Sequence, residues 1–111
     1  MFIFDHVGIT TMVPQPDENW VEQSRVWVTN PRDHPEHIEF LRYEPDNTVP
    51  EIVRANPHIA YRVSALAPHI VGQEVLIPPF VVGDFLEVVF IRRYGTVFEY
   101  MHYLKESWFG N

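Results

Sequence analysis

The stretches "IEFLRY" (residues 38–43) and "FEYMHY" (residues 98–103) share an unusual order of side chains. Each has a glutamate in second position, Glu39 or Glu99, among apolar and aromatic neighbours, and each ends on tyrosine. Side chains of a strand alternate between the two faces of a sheet, so each glutamate shares its face with an aliphatic residue two positions later. The pattern predicts two equivalent strands, each with a carboxylate on a mostly apolar face.

The remaining sequence is also rich in strand signals. Runs of β-branched and aromatic residues, bounded by proline, glycine and asparagine, predict about seven strands in all. A short helix is predicted over 64–72, with Ser64 as its N-cap and Gly72 as its end. Pro14 and Pro16 prevent an early helix in the first half and leave at most one or two helical turns over 17–23. The predicted strands are 2–10, 24–29, 37–44, 58–63, 74–82, 85–93 and 95–104.

The two halves of the chain resemble each other in order. "DHVGI" at 5–9 resembles "PHIAY" at 57–61, just as the first glutamate strand resembles the second. Two similar pairs in the same order indicate an internal repeat. The sequence therefore predicts one domain of two modules, about 1–46 and 57–111, joined by a loop over 47–56.

Composition excludes several classes of function. The chain of 111 residues is 46% hydrophobic, which suits one compact domain. Its formal net charge of −7 offers no electrostatic attraction for nucleic acid or an anionic membrane. The absence of cysteine excludes disulfides, thiolate catalysis and cysteine-bound zinc. With neither a signal peptide nor a membrane-spanning run in view, a cytoplasmic protein is expected.

Four polar residues occupy strand faces that are otherwise apolar or small. By strict alternation His6 shares a face with Phe4 and Gly8, and His58 shares one with Ala60 and Arg62. If these faces and those of the two glutamates converge, two imidazoles and two carboxylates meet inside the protein. A divalent cation would balance the two carboxylate charges.

Ordinary structural roles remain open for each of these four residues. A single histidine at a strand start commonly packs or bonds to the backbone, and a single glutamate commonly lies on a solvated face or pairs with arginine. Four arginines are available as partners: Arg42, Arg62, Arg92 and Arg93.

Several segments together resemble the vicinal oxygen chelate superfamily, which includes glyoxalase I, methylmalonyl-CoA epimerase, extradiol dioxygenases and bleomycin- and fosfomycin-resistance proteins. They are "FDHVGITT", "HIEFLRYEPD", "NPHIAYRV", "SALAPHIVGQEVLIPPF" and "GTVFEYM". The resemblance implies an α+β, β-rich fold, in which paired βαβββ modules form a curved, cup-shaped mixed sheet. The segment "VPQPDENW" is too short and too rich in proline for the first-module helix, which is expected to be short or lost.

The same resemblance implies a metal site and a type of chemistry. It assigns His6, Glu39, His58 and Glu99 as ligands of a divalent metal, which residue types alone leave open among Zn, Ni, Co, Mn and Fe. The dioxygenase branch typically uses two histidines and one glutamate, so a fourth protein ligand resembles glyoxalase I and the epimerases. The expected function is a metal-dependent lyase or isomerase that stabilises an enediolate or enolate of a small oxygen-rich anion, with Glu39 or Glu99 as catalytic base.

Other predictions concern ligands and partners. Arg62, Trp27 and Tyr61 are candidates for binding the small-molecule substrate, although Arg62 is equally suited to a structural ion pair. A homodimer is expected, because the shortened first module should leave strand edge or apolar surface uncovered.

Three alternatives to the enzyme remain. One is a non-catalytic small-molecule-binding protein of the bleomycin-resistance type, with a cup walled by aromatic residues. A second is a purely interacting subunit. The third is suggested by "HPEHIE", where His34, His37 and Glu39 resemble the metal-binding strand of cupins. The spacing of these histidines and the lack of a nearby glycine depart from the cupin pattern, so this alternative ranks well below the first hypothesis.

Overall fold

The structure is a computed structural model that describes residues 2–110 of the chain. Eight strands form its framework, with one-turn helices between some of them. The strands are β1 (Phe2–Thr10), β2 (Asn19–Val21), β3 (Val26–Val28), β4 (Ile38–Tyr43), β5 (His58–Val63), β6 (Glu74–Val82), β7 (Leu86–Arg93) and β8 (Thr96–Tyr103). The helices are a 3-10 turn (Pro31–Asp33), α1 (Glu51–Arg54) and α2 (Ala67–Ile70).

All eight strands belong to one mixed sheet in the order β2-β3-β4-β1-β5-β8-β7-β6. The sheet is open and strongly curled, as a half-barrel, so the predicted β-rich, curved mixed sheet is confirmed. The first four strands form one half and the last four form the other, in matching order. The halves meet where β1 pairs with β5 in antiparallel orientation. Within each half, the first strand pairs with the last strand in parallel, β1 with β4 and β5 with β8.

The first half has no helix between β1 and β2 in the described structure, in agreement with the expected loss. The segment 17–23, for which the sequence allows at most one or two helical turns, instead contains β2, because Asn19–Val21 pairs with β3. A tight turn at Arg25, whose φ is 50°, brings these two short strands together. The sheet thus has eight strands, one more than the sequence pattern predicts.

The second half keeps a helix, but a shorter one than predicted. Helix α2 spans Ala67–Ile70 and has Leu66 at its N-cap, without a side-chain cap, so the predicted cap at Ser64 is wrong. Together with Leu66, this segment covers the convex face of the second half. Apolar residues packed there are Ile59, Val63, Val89, Ile91, Phe98 and Tyr100.

The concave face carries the larger core. It is built from inward residues of strands β2 to β8 and is supplemented by Val49 and Val53, which lie in the predicted loop 47–56. That loop contains the one-turn helix α1. Trp108, in the segment that follows β8, is 3% exposed and packs against the same core.

An irregularity in β1 changes which of its residues face the cup. Phe4 is paired with Tyr61 and His6 with Ala60, so Asp5 is an extra residue in a β-bulge. Phe4 contacts Tyr61 on the convex side, whereas His6 lies on the concave side. The prediction that Phe4 and His6 share a face is therefore wrong, although His6 and Gly8 do.

Apolar residues at the start of β1 are partly exposed to solvent. Phe2, Ile3 and Phe4 are each about half exposed, and the predicted homodimer stays a prediction. In the described part of the chain, no helix is both long and apolar enough to span a bilayer.

Candidate metal centre

Strand register places each glutamate beside a histidine in the same way in both halves. Glu39 on β4 is aligned with Gly8, two residues after His6. Glu99 on β8 is aligned with Ala60, two residues after His58. Because β1 and β5 are neighbours, the two histidine–glutamate pairs lie next to each other on the concave face.

The structure brings these four side chains into one buried cluster. His6 is 0%, His58 2%, Glu39 6% and Glu99 7% exposed. One ligand atom from each residue lies within 4.8 Å of the others. The His6 Nε2 atom is 3.3 Å from Glu39 Oε1 and 3.4 Å from Glu99 Oε1. The His58 Nε2 atom is 3.2 Å from Glu99 Oε1 and 3.7 Å from Glu39 Oε1.

Small residues make room for the two imidazoles. His58 lies across from Gly8 in the antiparallel pairing, and His6 lies across from Ala60. A methyl group added to Gly8 would come within 2.0 Å of the His58 ring. Gly8 is therefore required by the close approach of the neighbouring imidazole.

The electrostatics of the cluster favour an added or bound positive charge. Burial lowers the pKa of His6, but the carboxylates of Glu39, Asp5 and Glu99 outweigh it and raise the pKa well above 6.5. Burial raises the pKa of Glu99, but interaction with His58 and His6 outweighs it and lowers the pKa to about 2. The protein without metal thus stabilises a proton on His6 and a negative charge on Glu99.

These side chains fit a divalent metal. The Nε2 atoms of His6 and His58 and Oε1 of Glu99 are buried and have no hydrogen-bond partner in the described structure. Unpaired buried polar atoms are costly, and a metal ion would satisfy all three. Two ligands each about 2.1 Å from an ion are about 3.0–3.4 Å apart in octahedral or tetrahedral arrangements. The observed nitrogen–oxygen distances of 3.2–3.7 Å are close to that range.

A cavity of about 40 Å³ adjoins the cluster on the concave side. Glu39 and Glu99 contribute its acidic wall, and Tyr43 and Ser24 are its other polar residues. Burial and the two nearby carboxylates raise the pKa of Tyr43. Trp108 and Phe109 line the cavity from the C-terminal segment. The remaining lining is apolar: Val21, Val26, Val28, Leu41, Val49, Val53, Ile77, Phe80, Val82, Leu86, Phe90 and Met101.

The three predicted substrate-binding residues do not line this cavity. Trp27 lies on the face of β3 opposite to the inward valines and donates its indole N–H to Glu44. Tyr61 packs on the convex side against Phe2. Arg62 forms an ion pair with Glu106 and lies 4.5 Å from the centre of the Tyr103 ring.

The cupin-like pattern does not produce a second cluster in the described part of the chain. Glu39 joins the distant His6 and His58, rather than its neighbours His34 and His37. His37 has a φ of 54° and is exposed at the turn before β4, and His34 accepts a hydrogen bond from the backbone N–H of Glu36.

Sequence reasoning missed three residues of the site: Asp5, Gly8 and Trp108. Asp5 directly precedes a predicted ligand, and Gly8 is the smallest residue on the predicted ligand face. Both positions are noticeable in the sequence, but the role of Asp5 depends on a β-bulge and that of Gly8 on packing across neighbouring strands. Trp108 lies beyond the last predicted strand, so periodicity carries no information about it.

Substitution of Trp108 tests whether its indole closes one side of the cavity. We expect Trp108→Ala to lower the free energy of unfolding by roughly 3–5 kcal/mol, because a large buried side chain is removed. Added indole should partly restore the melting temperature by filling the vacated space. The control is Trp20→Ala, since Trp20 packs on Trp27 away from the cavity. Equal responses of the two variants to indole would contradict this role for Trp108.

Comparisons with known proteins support the fold. No family model matches the sequence, and no curated protein matches it. Among solved structures, a hypothetical protein from Bacillus halodurans C-125 has a TM-score of 0.70 and 14% identity, covering 96% of this chain and 98% of that one. A mutant of 4-hydroxymandelate synthase from Streptomyces coelicolor has a TM-score of 0.55 and 16% identity. The latter match covers 98% of this chain but 50% of the synthase.

Proposed function

We propose that this protein is a metal-dependent enzyme of the vicinal oxygen chelate type, a lyase or isomerase acting on a small substrate with adjacent oxygen atoms. The observation that carries the proposal is the convergence of four buried ligand atoms from two equivalent strand pairs within 4.8 Å. The structural similarity to a 4-hydroxymandelate synthase mutant supports the fold part of the proposal. The reaction itself rests on the ligand set.

Four protein ligands favour proton-transfer chemistry of the glyoxalase and epimerase kind. His6, Glu39, His58 and Glu99 would hold the metal, which supplies Lewis acidity toward substrate oxygens when bound. A carboxylate beside those oxygens can then remove a proton from the neighbouring carbon. The proposed reaction needs no further cofactor.

The two glutamates differ in how tightly they are held. Glu99 Oε1 lies within 3.4 Å of both imidazoles, and its pKa is lowered to about 2. Glu39 makes the longest contact of the four, 3.7 Å to His58. A strongly acidic, tightly held carboxyl suits a permanent ligand. We therefore assign Glu99 to metal binding and Glu39 to both metal binding and proton transfer.

The cavity refines the type of substrate. No lysine or arginine is among its lining residues, and Arg62 is occupied by Glu106. Any negative charge of the substrate is therefore best placed at the oxygens next to the metal. The rest of the molecule would contact the aliphatic and aromatic side chains that line the cavity. A small oxygen-rich substrate with at most a short apolar group fits this cavity of about 40 Å³.

Metal binding is the first test of the proposal. We expect Zn²⁺, Ni²⁺, Co²⁺ or Mn²⁺ to raise the melting temperature of chelator-treated protein, because binding to the folded state stabilises it by about 2.7 kcal/mol at one hundred times Kd. His58→Ala should abolish this rise, whereas His69→Ala, outside the cluster, should retain it. The measurement is thermal unfolding with metal analysis of the dialysed protein. A wild-type protein that retains no divalent metal and shows no shift would contradict the proposal.

A non-catalytic binding protein is the second candidate, favoured by the largely apolar cavity. Such a protein would bind its ligand equally well with and without metal. Calorimetric titration of the metal-free and metal-loaded forms separates the two functions. Ligand binding that depends on the metal, followed by turnover, supports the enzyme.

A further inference from the structure

Asp5 contacts the back of the His6 imidazole. Its Oδ1 atom is 2.6 Å from His6 Nδ1, the ring nitrogen that faces away from the cluster. His6 is fully buried, and the side chain of Asp5 is only 11% exposed. A short, shielded contact of this kind holds the ring strongly, because little water competes for either partner.

Neighbouring residues on a regular strand face opposite sides of the sheet, so this contact needs a special backbone. The bulge in β1 supplies it, since the pairing with β5 passes from Phe4–Tyr61 to His6–Ala60 and leaves Asp5 as an extra residue. Bulges can re-aim a side chain in this way and are frequent beside active sites. The backbone irregularity and the carboxylate contact thus occur at the same residue.

Within residues 57–110, the described part of the second half, this arrangement has no equivalent. The residue before His58 is Pro57, whose side chain has no hydrogen-bonding atom. The pairing of β5 with β8 proceeds from His58 to Arg62 without a register shift. The repeat therefore keeps both imidazoles and both glutamates, but only His6 has a carboxylate behind it.

We propose that Asp5 is a positioning residue that fixes the His6 ring with Nδ1 as hydrogen-bond donor and Nε2 directed into the cluster. The statement that Nε2 then binds a metal rests on the proposed function. An imidazole binds a metal through an unprotonated nitrogen, so a carboxylate that accepts the proton of Nδ1 leaves Nε2 free as the ligand. The electron-rich partner also makes that ligand nitrogen more basic.

The inference makes the two histidine ligands unequal. His6 is oriented before any metal binds, whereas His58 is confined by packing against Gly8 and the ring of Phe90. Removing the carboxylate of Asp5 should therefore affect the His6 ring specifically. A loss of general stability would affect both imidazoles alike.

The test compares Asp5→Ala, Asp5→Asn and the control Asp46→Ala. Asp46 also has a cationic partner, Arg25, but its side chain is 65% exposed and outside the cluster. Zn²⁺ affinity is measured by competition with a chelator. Nitrogen-15 NMR of the histidine rings reports which nitrogen carries the proton, in the metal-free and the Zn²⁺-loaded protein. His6→Gln assigns the His6 signals.

For Asp5→Ala we expect a 10–100-fold loss of Zn²⁺ affinity, the usual effect of removing a partner behind a ligand. The Nδ1–H signal of His6 should be lost or shifted, while that of His58 stays unchanged. Asp5→Asn keeps an acceptor oxygen and should restore the Nδ1–H signal and most of the affinity. Asp46→Ala should match the wild type within about twofold.

Opposite results overturn the inference. The inference is wrong if Asp5→Ala leaves the His6 Nδ1–H signal unchanged, or if Asp5→Ala binds Zn²⁺ within about twofold of the wild-type affinity. If Asp5→Ala does not fold, Asp5→Ser is measured by the same criteria. A wild-type protein that binds no Zn²⁺ defeats the proposed function instead. In that case the metal-free NMR comparison still decides whether Asp5 orients His6.

Discussion

Gly8→Ala is expected to disrupt the ligand cluster although it adds only one methyl group. The new Cβ would lie 2.0 Å from Cε1, 2.3 Å from Nε2 and 2.5 Å from Nδ1 of His58, far inside van der Waals contact. The ring has little space in which to move, because it is 2% exposed and packs edge-on against Phe90, with 5.2 Å between ring centres. We expect at least about a 100-fold loss of metal affinity and a loss of roughly 1–3 kcal/mol in the free energy of unfolding from overpacking.

A double-mutant cycle checks the cause of this effect. His58→Ala removes the ring that the new methyl group would meet, so Gly8→Ala should cost much less stability in the His58→Ala background than in the wild type. Denaturant unfolding of the four metal-free proteins gives the coupling energy. Additive losses, or unchanged metal affinity in Gly8→Ala, would show that the two residues do not compete for the same space.

Substitution of the two glutamates is expected to separate metal binding from proton transfer. Glu99→Gln keeps the shape of the side chain but removes a charge that interacts with both imidazoles, so it should lose most of the bound metal. Glu39→Gln should retain more metal, because Glu39 is the less tightly held of the pair. Glu39→Gln should instead lower the rate of proton transfer by about 10²–10⁴-fold, the usual contribution of a positioned base.

Metal content and solvent hydrogen exchange into an α-hydroxy ketone or 2-oxo acid measure these two effects. The control is Glu87→Gln, on the neighbouring strand β7, where the carboxylate is 39% exposed and lies 3.8 Å from His102. It should change neither measurement. Equal metal loss in Glu39→Gln and Glu99→Gln would contradict the division of roles.

Glu99→Gln is also expected to change the stability of the metal-free protein at acid pH. The pKa of Glu99 is lowered from 4.5 to about 2, so its charge contributes stability above the ordinary pKa, which is lost as the pH falls toward 2. Glu99→Gln should remove this part of the acid dependence. The raised pKa of His6 acts in the opposite direction, because its stabilisation is present at low pH and is lost as the pH rises through that pKa.

Local sequence predicts several elements of this fold because their causes are local. The alternation in "IEFLRY" and "FEYMHY" specifies strands with an inward glutamate, and the structure has β4 and β8 at those places. Pro14 and Pro16 account for the missing helix between β1 and β2. By contrast, the sequence pattern does not predict strand β2, because three residues carry too little periodicity to distinguish a strand from a helical turn.

The candidate site also has features that the local sequence predicts and features that it does not. The sequence identifies His6, Glu39, His58 and Glu99 as polar residues on apolar strand faces. It also places Trp27 and Tyr61 near the substrate, whereas the structure puts both on the opposite surface of the sheet. Aromatic side chains stabilise either face of a sheet, so residue type alone does not distinguish the wall of a cavity from convex packing.

By itself, the sequence determined a β-rich chain with a twofold repeated pattern and the identity of four candidate ligand residues, since these follow from residue type and a period of two. Only the tertiary structure decided that the four side chains meet, that a bulge turns Asp5 toward His6, and that Gly8 makes room for His58. The physical reason is that cross-strand register and sheet curvature arise from pairing between distant segments. One residue of register reverses the face on which a side chain lies.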